Sequence, residues 1–337
     1  MKNYRPNGGG NYHLLKKIKR DMKVLKQLPS LFFMLALSVS FIACESDDVD
    51  DNVKANNDIT ISAFVADDDN FSTLAAALER TNLTSVLDDE DNNYTLFAPN
   101  NAAFDKLGVD LSTISDEELT DILMYHVISD NRVGLGDLTF DFRYFETAST
   151  AGPNAEKLSL MLEREDDVLR VNNMVAVSST PNDFENGAIY ELNDVLTLPT
   201  IVSVVTADSE LDNLANALTT ASGDLDELLS GTELYTVFAP IDDAFDAISE
   251  TTMTLTADEL ASVLTYHVVE GNIRKDDLED DQVVTTANGE TITIDIDLGI
   301  VRIEDSEENK VLVRITDIQT TNGVVHTISE VLMPSEL

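Results

Sequence analysis

The sequence predicts an α+β chain built from two tandem copies of one unit, and three observations carry that prediction. The stretch YTLFAPNNAAF, Tyr94 to Phe104, returns as YTVFAPIDDAF, Tyr235 to Phe245, 141 positions later. Self-similarity at so long a spacing sets the architecture before any other feature is weighed. Within each copy the hydrophobic spacing is helical in the first half and alternates residue by residue in the second. Each copy also closes on one phrase, NGAIYELNDVLTLP (Asn186 to Pro199) and NGVVHTISEVLMP (Asn322 to Pro334).

The first copy opens at Ile59 to Asp67, and Phe71, Leu74, Ala75 and Leu78 then fall on one helical face. The second copy repeats this at Ile201 to Asp208 and at Leu211, Leu214, Ala215 and Leu218. A short amphipathic piece follows in each, Leu83 to Leu87 and Leu225 to Leu229. The opening stretches then read as a buried strand, a stop at proline, and a helix started by Asn or Asp. Next, ISDEELTDILMYHVI (Ile114 to Ile128) aligns with LTADELASVLTYHVV (Leu255 to Val269) without a gap. Ser115 with Glu118, and Thr256 with Glu259, have the spacing of a capping box. Each of these helices runs on to a Tyr-His pair, Tyr125-His126 and Tyr266-His267. A partly protonated His there is favourable to the negative end of the helix dipole.

The second half of each copy reads as antiparallel strands. In the second copy they are Val283-Val284, Thr291 to Ile296, Ile300 to Ile303 and Val311 to Ile315, with Asn288-Gly289 the clearest hairpin signal. In the first copy they are Tyr144 to Thr147, Leu158 to Glu163, Val168 to Val171 and Met174 to Val177. The spacing between copies falls to 136 at the closing phrase, so the second copy has lost five residues, most simply from the segment matching 139 to 157. Helices first, sheet afterwards and a terminal strand running to Pro make each unit α+β. The units span 59–199 and 200–337, joined at Pro199-Thr200 with almost no linker.

Charge is the outlier of the composition. The chain of 337 residues has 21 Lys plus Arg against 63 Asp plus Glu, a net of −42. From Cys44 onward the balance is 13 against 62, or −49. Such a surface repels nucleic acid, whose binding depends on cationic contacts, and it repels anionic lipid head groups. The single cysteine leaves no intrachain disulfide. Ahead of it, residues 14–27 are basic and residues 31–43 (LFFMLALSVSFIA) form an uncharged apolar run of 13. That is the pattern of a secretory signal, 1–43, and is too short for a spanning helix of roughly 20 residues. Met22 would serve as a true start. Phe41-Ile42-Ala43-Cys44 resembles a bacterial lipobox, with Phe41 in place of the usual Leu. The resemblance implies that Cys44 becomes the first mature residue and carries a lipid. Residues 44–58, with ESDDVDDNVKANND after the Cys, read as a solvated acidic tether. The acidic cluster also looks like the surface-export signal of lipoproteins in Bacteroidota, implying the outer face of the outer membrane. A plain charged linker is the alternative.

The two closing phrases, the two T-[LV]-F-A-P strands and the two Tyr-His pairs together resemble the fasciclin (FAS1) domain, over roughly residues 59 to 335. The resemblance implies two FAS1-like domains, each a compact β-sandwich or wedge flanked by helices. It also implies a surface-anchored or extracellular protein acting in adhesion and matrix contact. One departure stands out: Tyr190 occupies the place of His326, so a role that needs this His would reside in only one domain.

Tyr125, His126, Tyr266, His267 and His326 are the candidate adhesion or structural residues. Adjacent helical residues point about 100° apart, so the two members of a pair are not expected to face the core equally. Three readings are open: one ring packs while the other satisfies a backbone carbonyl, the pair contacts a partner, or it takes part in catalysis. Enzymatic constellations are poor. The only thiol sits at the lipidation point, no G-x-S-x-G elbow occurs, and Gly134-Leu135-Gly136 lacks the third glycine of a dinucleotide loop. The three His residues after Cys44 lack zinc spacing. The acidic runs 67–70 and 88–93 lack the Gly and Glu of a calcium loop. No metal or cofactor is expected, and Asn82-Leu83-Thr84 and Asn93-Tyr94-Thr95 read as chance glycosylation patterns. The leading function is a non-catalytic surface lipoprotein binding an extracellular protein or polysaccharide ligand, touching the membrane only through its lipid anchor, with no nucleic acid. The alternatives are an accessory glycan-binding protein of a nutrient-uptake system, which the lack of Trp disfavours, and an enzyme using a carboxylate pair.

Overall fold

The computed structural model describes residues 59–134, 142–165, 168–175, 181–249 and 254–335. Cys44, the signal segment, the acidic tether and the end of the strand expected at Met174 to Val177 lie outside the described residues.

The first copy begins with helices α1 (Ile61–Asp67) and α2 (Ser72–Arg80), continues through strand β1 (Tyr94–Pro99), and returns to helix in α3 (Asn101–Leu107) and α4 (Asp116–Tyr125). Among the described residues the strands that follow are β2 (Val127–Ser129), β3 (Phe142–Glu146), β4 (Ser159–Glu165), β5 (Val168–Val171), β6 (Met174–Val175), β7 (Asn182–Phe184) and β8 (Gly187–Leu192). The second copy repeats the order with α5 (Ile201–Ala207), α6 (Asp212–Thr220), α7 (Leu225–Ser230), β9 (Tyr235–Pro240), α8 (Asp242–Ala247) and α9 (Ala257–Tyr266). Its strands are β10 (Val268–Glu270), β11 (Val283–Thr285), β12 (Thr291–Asp297), β13 (Ile300–Glu304), β14 (Lys310–Thr320) and β15 (Gly323–Ile328).

Several helices start where a side chain can replace a missing backbone partner. By contrast, α2, α6, α7 and α8 have no side-chain cap, and α8 follows Ile241 rather than the expected Asn or Asp cap. Thr60 and Thr200 cap α1 and α5, and Asn100 caps α3 through the Ala103 N–H. The reciprocal capping box closes at Thr256 and Glu259; at Ser115 only the hydroxyl-to-Glu118 half is made. Three further expectations need correction. Leu83 to Leu87 forms turns, with both leucines buried, and only the second copy makes a helix there. The face of α2 buries Leu74, Ala77 and Leu78 rather than Ala75, and α6 likewise buries Ala217 rather than Ala215. The terminal strands stop at Leu192 and Ile328, well short of the closing prolines.

In the first copy β2-β1-β8-β7 form one four-stranded sheet and β3-β4-β5-β6 another. In the second, β14 is long enough to join the corresponding sheets into one of seven strands, β10-β9-β15-β14-β13-β12-β11. The central pairs β1–β8 and β9–β15 are parallel, with Phe97 opposite Tyr190 and Phe238 opposite His326. Each central strand faces two cores. Leu96 and Ala98 pack against the helices, whereas Phe97 packs with Leu160, Leu162 and Tyr190 beneath the second sheet. A strand buried on both sides reads as a near-continuous apolar run, which is why TLFAP and TVFAP look as they do.

The two copies dock directly. The β3–β4 connection, residues 147–158, is longer than its counterpart 286–290, within the segment where the second copy is expected to have lost residues. The extra length reaches the second copy: Glu156 pairs with Arg274. Gln319 N–H donates to Ser159 Oγ at 2.9 Å. Tyr144 packs against the helical core of the second copy and donates its hydroxyl to Asp208 Oδ2 at 2.6 Å. Asp208 is 1% exposed. Its burial raises its pKa, an effect that the bonds from Tyr144 and the Glu210 N–H oppose. Tyr144→Phe removes one of the two donors to this buried carboxyl. The expected cost is about 2 kcal/mol of unfolding free energy, measured by urea denaturation; an unchanged midpoint would show that the bond does not couple the copies.

Candidate functional site

Both Tyr-His pairs lie inside the protein. Tyr125 and His126 are each 0% exposed, Tyr266 is 0% and His267 2%. The two members of each pair do face different surroundings, the Tyr packing in the core and the His bonding a backbone carbonyl, yet both are buried. His126 is the C-cap of α4 and His267 that of α9, both with helical backbone angles, and the coil after the terminal strand covers the side of the helix end on which each His lies. The Tyr ring enters the core beneath the second sheet, while the His ring is held by backbone on both sides.

That holding is the same in both copies. The Leu196 N–H donates to Nε2 of His126 at 2.9 Å, so the proton sits on Nδ1, which donates to the Ile122 carbonyl at 2.7 Å. His267 receives the Leu332 N–H at 2.9 Å and donates to the Val263 carbonyl at 2.8 Å. Each His therefore ties the end of its helix to the coil after the terminal strand. Burial pushes both imidazoles down to about 4, more than the carbonyl bonds raise them. They are neutral at pH 7, which corrects the expectation of a partly protonated His serving the helix dipole. The tyrosine hydroxyls also act on backbone. Tyr125 donates to the Ser159 carbonyl at 3.0 Å and accepts from Asn172; Tyr266 donates to the Thr291 carbonyl at 3.0 Å and accepts the Ser306 N–H.

The departure at Tyr190 proves to be a substitution of like for like. Tyr190 stacks on Phe97 and donates to the Val133 carbonyl at 3.0 Å; His326 stacks on Phe238 and its Nε2 donates to the Ile273 carbonyl at 2.9 Å. Both stacks have centroids 5.6 Å apart. His326 Nδ1 accepts the Asp317 N–H at 3.1 Å, so its tautomer is opposite to that of the other two histidines.

Sequence reasoning passed over Asn186 and Asn322, which open the closing phrases. Asn186 accepts the Ile61 N–H at 2.9 Å and donates to the carbonyls of Leu87 and Asp89; Asn322 does the same for Ile201, Leu229 and Gly231. Each buried amide thus pins the first helix of its copy to the sheet. The signal was present as two Asn-Gly pairs standing just before buried strands, where a plain hairpin turn is the simpler reading.

An open cleft of about 850 Å³ lies between the two copies. One wall is β3, with Phe142 to Glu146; the other is formed by Arg314 to Asp317 of β14, with Arg274 and Glu210 alongside. Three of the 13 basic residues after Cys44 line it, in a chain otherwise dominated by acids. Arg274 is engaged by Glu156 and, at 3.8 Å, by Asp317. Arg143 lies over the Phe145 ring at 4.9 Å. Burial raises the Glu210 pKa, with Arg314 opposing the rise and Asp208 adding to it. No cluster of three or more metal-ligating side chains occurs among the described residues.

Comparison with known proteins gives the family. The Fasciclin domain family matches residues 69–199 and again 209–334. Protein sll1483 of Synechocystis is 36% identical over 140 residues, covering 40% of this chain and 73% of its own length. The transforming growth factor-beta-induced protein ig-h3 of Sus scrofa is 29% identical over 255 residues; the match takes in 71% of this chain but only 33% of that longer protein. Among solved structures, a FAS1 domain pair from the insect cell adhesion molecule Fasciclin I covers 77% of this chain and 92% of that one, at 17% identity and a TM-score of 0.47. With two successive matches spanning most of its length, the chain belongs to the fasciclin domain family.

Proposed function

We propose that the chain is a non-catalytic binding module, lipid-anchored through Cys44 on the outer face of the outer membrane, that engages a protein or polysaccharide outside the cell. The observation that carries this reading is the cleft between the docked copies, the place where aromatic and cationic side chains meet on an otherwise acidic surface. The Tyr-His pairs are structural on this reading. Their rings are sealed from solvent, and both nitrogens of each imidazole are occupied by backbone groups, which leaves no site for proton transfer to a substrate. Family members act in adhesion and matrix contact, which fits a module presented on a tether. No helix among the described residues is long and apolar enough to cross a membrane.

Two measurements test the proposal. The Cys44→Ser chain is expected in the soluble fraction, and persistent membrane association would refute the anchor. That soluble variant, applied to an array of glycans and matrix proteins, is expected to bind at least one class; an array without binding would overturn the adhesion reading.

A further inference from the structure

The geometry of the cleft narrows its ligand. Among the described residues, strand β3 stands at the edge of its sheet and pairs only with β4. All five of its residues, Phe142 to Glu146, line the cleft. Side chains alternate across a strand, so consecutive residues share one cleft only where the strand turns its edge toward it. An edge offers a row of N–H and C=O groups ready to pair with another chain, and no strand among the described residues takes that place. Across the cleft, β14 departs from regular pairing between Val313 and Ile318, and this irregular stretch carries Arg314. Arg143 and Arg314 make no direct ion pair among the described residues, while Arg274 is already held by two carboxylates.

We infer that the cleft binds an extended peptide segment of a partner protein, which adds a strand to the β3 edge and presents an acidic side chain to Arg143 and Arg314. This rests on the binding role proposed above. Backbone pairing repeats every two residues, roughly 6.8 Å, a spacing that a peptide matches and a sugar chain does not. Phe142 and Tyr144 meet at 88° with centroids 6.2 Å apart, so they form no flat platform for a sugar ring, and the Tyr144 hydroxyl is committed to Asp208. Glu146 and Glu210 flank the arginines, so an isolated acidic side chain is accepted where a dense polyanion is repelled. Main-chain bonds would supply affinity and the arginines specificity.

The test titrates the full chain with a blocked peptide, acetyl-Thr-Val-Glu-Val-Thr-Val-amide, by calorimetry. Binding is expected, with about tenfold loss when Gln replaces Glu in the peptide and a similar loss in Arg143→Gln or Arg314→Gln. Both arginines are exposed, so melting should confirm that the variants stay folded. Methylating alternate amides of the peptide should abolish binding. Equal binding of the methylated peptide, indifference to both variants, or preference for a galacturonate trimer would each overturn the inference, as would no peptide binding at all. If the array still shows a ligand in any of those cases, the adhesion reading survives and only the cleft assignment falls.

Discussion

Alanine in place of Gly187 or Gly323 is expected to unfold the domain that carries it. These glycines begin β8 and β15 at φ +150 and +143, where side chains are rarely tolerated. A Cβ at Gly187 would stand 2.0 Å from the Tyr94 carbonyl oxygen, and one at Gly323 would stand 1.9 Å from that of Tyr235. Neither contact is with a flexible side chain. Relief would require the parallel pair β1–β8 or β9–β15 to separate at its first residue, where Tyr94 aligns with Gly187 and Tyr235 with Gly323. Backbone strain and overpacking together amount to roughly 2–6 kcal/mol, which reaches the lower end of the stability of a whole domain. Urea unfolding of each single variant checks this, and a loss below about 1 kcal/mol would mean the pair adapts without strain.

The histidine anchors carry the second large effect. His126→Ala or His267→Ala leaves a buried N–H and a buried carbonyl without partners and opens a cavity of ring size. The expected loss is about 3–5 kcal/mol. Unchanged stability with lost ligand binding would instead favour the contact reading of the pair. The same histidines set a pH dependence. Each takes up a proton near pH 4 in the fold but near 6.5 in the unfolded chain. As pH falls, the unfolded state is protonated first. Stability is therefore complete above about 6.5 and lost through to 4, on the order of 3 kcal/mol for each His. Asp208, Glu210 and Asp242 act in the opposite sense, because burial raises their pKa and acid favours their folded form. The comparison that isolates the histidines is the stability slope of wild type against His267→Gln between pH 6.5 and 4. A slope unchanged by the substitution would contradict the buried neutral ring.

The fold was legible because its determinants are local and stated twice. Apolar central strands, helices capped by Thr60 and Thr200 and by Ser115 and Thr256, and closing Asn-Gly phrases appear in the same order in both copies. What escaped the sequence were the destinations of single side chains. Nothing in the spacing shows that Asn186 reaches back to Ile61, or that Tyr190 and His326 give different hydroxyl and imidazole donors to equivalent carbonyls. Those contacts join residues far apart in the chain, and hydrophobic periodicity carries no information about them. The helical wheel separates Tyr from His in each pair, but it carries no information on the coil at Leu196 and Leu332 that closes over His126 and His267.

The sequence by itself determined the duplication, the α+β order of each copy, the family and the acidic character, since each follows from local pattern or composition. Only the tertiary structure decided that the Tyr-His pairs are sealed inside, with their polar atoms spent on backbone groups. It also decided that the copies meet across Tyr144–Asp208 and Glu156–Arg274, leaving Arg143 and Arg314 beside an open strand edge. Burial and docking depend on which distant surfaces close over which residues, and chain order does not encode that until the cores have packed.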